Sequence, residues 1–102
     1  MKPCCEKYLN EQFGGDADVV SEIYKEYVSS IADKMKELKA NLAAAAWDPL
    51  DKTAHAIKGN ALAAGDSEMA ETAISLRNEA KLKDAESASA LVAKMESLAS
   101  LL

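Results

Sequence analysis

Rings are scarce in this chain. Aromatic residues make up only 5% of its 102 residues, and histidine occurs once, at position 55. A core with so few large side chains must be built by close approach of thin, alanine-rich helices. The only two cysteines, Cys4 and Cys5, are adjacent. A bridge between neighbours is strained, so no disulfide framework is expected and both read as reduced thiols near a frayed terminus. No apolar stretch of signal-peptide or membrane-spanning length follows Met1-Lys2-Pro3, so the chain is expected to be cytoplasmic. Positive charge is also in deficit: 12 Lys and Arg against 17 Asp and Glu leave a net charge of -5. Phosphate backbones and anionic membranes are bound through a basic surplus, which excludes nucleic acid or a membrane as the main partner and favours a protein. At 49% hydrophobic and 28% charged, the sequence describes one soluble domain spanning residues 1–102.

What is present is helical period throughout. Pro3 to Phe13 reads as a short first helix with Tyr8 and Leu9 turned inward, stopped by Gly14-Gly15. Asp16 or Asp18 can cap a long second helix, in which Val20, Ile23, Tyr27, Ile31, Met35, Leu38 and Leu42 recur at spacings of three and four as far as Trp47. The alanine run Ala43 to Ala46 reads as ordinary helix. Asp48-Pro49 then restarts the chain, with aspartate as N-cap and proline at the first helical position. The third helix carries Leu50, Ala54, Ile57 and Ala61 inward and ends near Gly65. Asp66 or Ser67 caps a fourth with Met69, Ala73, Leu76 and Ala80 inward, and Asp84 a fifth with Ala88, Leu91, Val92, Met95, Leu98 and Leu102 inward. Loops this short force neighbours to run antiparallel. The expected architecture is all-α: an antiparallel up-down four-helix bundle with a short N-terminal helix packed on it.

Stepping about 100° per residue from the inward stripe of the third helix puts His55 roughly 140° from its centre and Gly59 roughly opposite it. Both are therefore expected in solvent. A glycine inside a helix costs about 1 kcal/mol against alanine, and its common excuse, close packing of another helix, does not apply on an outward face. An approaching partner or a bound group needing room does explain it. Ala56, Leu62 and Ala63 also point outward, leaving an apolar, small-residue surface beside the histidine that suits docking. Lys58 lies one turn from His55, where its ammonium can offset the charge of a phosphoryl group on the imidazole.

The run His55, Ala56, Ile57, Lys58, Gly59, Asn60, Ala61 resembles the core motif of histidine-containing phosphotransfer domains: His, any residue, an aliphatic, Lys, Gly, a small polar residue, Ala. The resemblance extends to a Gly-Asp opening at Gly15-Asp16, a long helix, an aspartate before the motif helix and Gly65 beyond it. It implies a helical bundle that accepts a phosphoryl group from a receiver aspartate or a histidine or hybrid kinase, and delivers it to another response regulator receiver. By the same resemblance His55 is the phosphoacceptor, through its outer ring nitrogen, Lys58 the charge stabiliser and Gly59 the gap beneath the incoming group. The sequence departs from the family at one position. Where many members carry Gln or Glu to hold the ring, it has Arg77. A hairpin about Gly65 brings Arg77 and Asn78 near the level of His55, but arginine donates only. Arg77 is therefore expected to contact phosphoryl oxygens rather than to hold the neutral ring.

An exposed imidazole is mostly neutral near pH 7 and offers one nitrogen lone pair as nucleophile. There is no Gly-rich phosphate loop followed by Lys-Ser or Lys-Thr and no metal cluster, so the chain reads as a monomeric carrier, not an enzyme. No cofactor or metal of its own is expected, the magnesium ion belonging to the partner receiver. Starting at Met1 favours a free-standing protein over a module of a hybrid kinase. Two readings compete. One is a helical adaptor that binds partners through the face around His55 without carrying phosphate. The other is a metal or haem bundle using His55 with Met35, Met69 or Met95, which the single histidine and the lack of a repeated Glu-x-x-His disfavour.

Overall fold

The computed structural model describes residues 1–102 and contains five helices and no strand: α1 (Pro3–Gln12), α2 (Ala17–Ala43), α3 (Trp47–Ala64), α4 (Ser67–Leu82) and α5 (Ala85–Ser100). The 27 residues of α2, at about 1.5 Å each, account for the 43 Å long axis of a molecule 20 by 19 Å across. Helices α2 to α5 form a closed antiparallel ring in which α3 packs on α2 and α4, and α5 on α4 and α2; α1 lies across α2 and α3. No helix is long and apolar enough to cross a membrane.

Side-chain capping sets three of the starts. Asp16 accepts from the backbone N–H groups of Asp18 and Val19, Asp66 from that of Met69 and Asp84 from that of Ser87. Each satisfies a donor that the first helical turn leaves without a partner. The inward stripes of α3 (Leu50, Ala54, Ile57, Ala61) and α4 (Met69, Ala73, Leu76, Ala80) are buried along their whole length. In α2 the stripe is Val20, Tyr24, Tyr27, Ile31, Met35 and Leu38, with Ile23 and Leu42 only half-buried; Leu91 in α5 and Leu102, which lies beyond the end of that helix, are likewise at the margin. Alanines on the facing stripes of α3 and α4 let those two helices approach closely, which matters for the level at which their outer side chains meet.

Two expectations at the α2–α3 junction are overturned. The alanine run is not continuous helix: α2 ends at Ala43, Ala45 takes a left-handed φ of 50°, and its N–H and that of Ala46 return to the carbonyls of Leu42 and Asn41. Trp47, half-buried against the core, then opens α3, so Asp48 and Pro49 fall at its second and third positions instead of at the cap and the first. Proline is tolerated there because the early N–H groups have no intrahelical acceptor, and Asp48 still lies at the positive end of the helix dipole.

A third expectation fails at the N-terminus, which is docked. Cys4 is exposed, but Cys5 is fully buried together with Leu9. The Lys2 ammonium donates to Asp66 at 2.7 Å, and the Tyr27 hydroxyl donates to the other oxygen of the same carboxylate at 2.7 Å. The backbone N–H of Lys2 donates to the Tyr24 hydroxyl, which donates in turn to the carbonyl of Leu102. Asp66 thus caps α4, anchors α1 and ties both to α2 while completely buried, and no buried polar side-chain atom lacks a partner. Tyr8 packs over Gly65, whose φ of 76° and lack of a side chain are both required: a Cβ there would collide with the Tyr8 side chain.

Candidate functional site

Helix α3 presents His55 to solvent at its middle, because Ala54 just before it and Ile57 two residues after it belong to the buried stripe and turn the imidazole away from the core. Around the imidazole, helical spacing places Asp51 and Gly59 one turn before and after it, and Lys52 and Lys58 three residues to either side. A Cβ built on Gly59 meets nothing within 4 Å, so no packing inside the molecule accounts for this glycine. Lys58 is half-buried and makes no ion pair or hydrogen bond within the chain, leaving its ammonium available. Two turns beyond His55, Leu62 is 53% exposed and Ala63 is exposed, while Ala56 is half-covered. Ala63 also lines a groove of about 260 Å³ between α2 and α3, with Ile23, Glu26, Tyr27, Ser30, Asn60 and Ala64. Asn60 is taken up structurally: its amide donates to Ser30 Oγ at 2.7 Å and locks α3 against α2.

The fourth helix contributes Arg77. Its Nη1 lies 3.0 Å from His55 Nδ1, and its Nε donates to Asp51 Oδ1 at 2.9 Å. The guanidinium is therefore held between a carboxylate and the ring. The hydrogen bond from Arg77 holds the Asp51 carboxyl below the usual carboxylate range, with the charges of Arg77 and Lys81 acting in the same sense. The expectation that Arg77 would leave the neutral ring alone is corrected here, since the arginine itself is the ring's partner. Asn78, its neighbour, is exposed and takes no part. Asp51 was not singled out from the sequence, although an acid one turn before the histidine on the same face was the available signal.

The inward methionines do not meet the histidine. Met35, Met69 and Met95 are buried in the core while His55 is exposed, and no group of three or more His, Cys, Asp and Glu side chains is arranged to hold a metal ion. What the site offers is one exposed imidazole, three nearby cations and a small-residue approach on an otherwise acidic protein. A protein-family model described as Hpt domain matches residues 22–101. No curated protein and no solved structure matches the chain.

Proposed function

The chain belongs to the Hpt domain family, the histidine phosphotransfer modules of phosphorelays, and we propose that it carries a phosphoryl group on His55, taken from a receiver aspartate or a kinase and passed to another receiver. The observation that carries this reading is the open space over Gly59 one turn from an exposed histidine. A helix that gives up about 1 kcal/mol for a glycine facing solvent gains nothing within its own fold, but a partner must bring a phosphorylated side chain within bonding distance of the ring. Lys58 supplies positive charge that phosphoryl oxygens need as they arrive. The face of Ala56, Leu62 and Ala63, extended by the groove between α2 and α3, is the docking surface for the receiver. Residues 1–102 act as one such domain. The chain transfers without catalysing turnover: the acidic pocket and the magnesium ion belong to the receiver, and only positioning is asked of this protein.

The test is incubation with phosphorylated receivers, following acid-labile phosphate onto the chain. His55→Gln should keep the helical fold, because the position is exposed, and should abolish acceptance. Undiminished labelling of that variant would place the phosphoryl group elsewhere. Receiver binding without any labelling of the native chain would assign this face to a non-phosphorylated adaptor.

A further inference from the structure

Arginine carries five N–H donors and no acceptor, and it stays charged in proteins. With its Nη1 at 3.0 Å, His55 Nδ1 must supply a lone pair to it. A neutral imidazole with its lone pair on Nδ1 carries its proton on Nε2. Nε2 has no partner in the protein, and once protonated it has no lone pair with which to attack phosphorus. Asp51 makes the arrangement firm, because it holds the guanidinium from the same helix as the histidine and one turn away. Both side chains are largely covered, at 28% and 31% exposure.

The geometry points to a tautomer latch: Asp51 and Arg77 are positioning residues that keep the outer nitrogen of His55 protonated at rest, and the ring becomes a nucleophile only when Arg77 releases Nδ1. This rests on the reading of His55 as phosphoacceptor. One proton then leaves Nε2 for water and another joins Nδ1 from water. The Nε2 lone pair forms the N–P bond as the bond from phosphorus to the donor carboxylate oxygen breaks, and that electron pair stays with the carboxylate. Loss of the Nδ1 proton to water leaves a neutral phosphorylated ring, with one proton released for each phosphoryl group accepted.

In the phosphorylated ring Nδ1 again has only a lone pair, so the guanidinium fits it as well as it fits the resting ring. The phosphoryl group leaves most easily when Nδ1 is protonated, because neutral imidazole departs instead of imidazolate. A donor seated on Nδ1 opposes that protonation. The same arginine therefore slows both arrival and departure, and lengthens the life of the loaded carrier. A glutamine at this position accepts Nδ1–H and acts in the opposite sense.

Long-range proton–nitrogen correlation spectra of the unphosphorylated full chain, at a pH where the ring is neutral, report the tautomer without any phosphoryl donor. Nε2–H is expected as the sole form in the native protein, with Nδ1–H growing in Arg77→Gln and, to a smaller extent, in Asp51→Asn. Glutamine is a good helix former, so circular dichroism should show the bundle intact. Arg77→Gln should then both accept label from a phosphorylated receiver and lose it roughly tenfold faster, the scale of one charge-assisted hydrogen bond. A substantial Nδ1–H population in the native chain, or identical spectra for native and Arg77→Gln, overturns the latch. Spectra that change as expected in a chain that takes no label overturn the phosphoacceptor reading instead, so the two failures are told apart.

Discussion

At position 59 the absence of a side chain is the feature on which the proposed transfer turns, and its consequences separate stability from transfer. Because a Cβ there meets only open space, Gly59→Glu should leave the bundle folded and raise its stability by up to about 1 kcal/mol through helix propensity. Transfer from a receiver should nevertheless slow strongly, by bulk and by negative charge facing an acidic pocket. Thermal melts and labelling of the same protein check both halves, and a stable variant with unchanged transfer would move the docking site off this face. Lys58 acts at the same scale. With no partner inside the chain to satisfy, Lys58→Ala should leave stability within about 0.5 kcal/mol of native. The cost should appear in slower labelling or a shorter-lived phosphohistidine, as one charge-assisted contact is lost. Equal rates and lifetimes would reduce the lysine to a solvated surface charge.

Among the elements, the turns are where local chemistry and the fold disagree. Ala45, after α2, and Lys83, at the end of α4, both hold left-handed φ values of 50° and 54° that side chains resist. Glycine occupies such positions without the steric penalty, so Ala45→Gly and Lys83→Gly should each stabilise the protein by about 1 kcal/mol. For a domain of this size that is a rise in Tm of about 4 to 8 °C, readable by circular dichroism. A fall would show that the loss of chain entropy on fixing glycine outweighs the relieved strain. The sequence gives little warning of the break at Ala45, since every residue from Ala43 to Ala46 favours helix. Trp47 decides it, because placing the indole against the core needs α3 to start there and to turn back on α2.

For the molecule as a whole, the docking of α1 creates a dependence on alkaline pH. Burial raises the Cys5 thiol to about 12 and pushes the Tyr27 phenol well above its ordinary range, the Asp66 carboxylate adding to both. Burial alone would lower Lys2, but its hydrogen bond and charge interaction with Asp66 outweigh that and leave it raised. All three bind a proton more tightly in the fold than in the open chain. The stability they contribute is therefore complete below about pH 8.5 and is lost as pH rises through the ordinary thiol, phenol and amine values towards the raised ones. Each group that stays protonated only in the folded state costs about 1.4 kcal/mol per pH unit in that window. Tm measured from about pH 8 to about pH 11 should fall progressively. Tyr27→Phe should flatten the decline, having one ionisation fewer, and a constant Tm would show that α1 does not stay docked.

The number of helices, the buried stripes of α3 and α4, the capping aspartates Asp16, Asp66 and Asp84, and the outward placing of His55 and Gly59 were legible in the order of residues. These features depend on spacings of three and four along one chain, where geometry is set by the helix itself. Tertiary structure alone decided that Cys5 joins the core, that Lys2 and Tyr27 converge on Asp66, and that Arg77 stands between Asp51 and the His55 ring. Each of those contacts joins different helices. Whether two such side chains meet depends on the rotation and relative level of both, quantities set by how alanine faces and short loops let the whole bundle close.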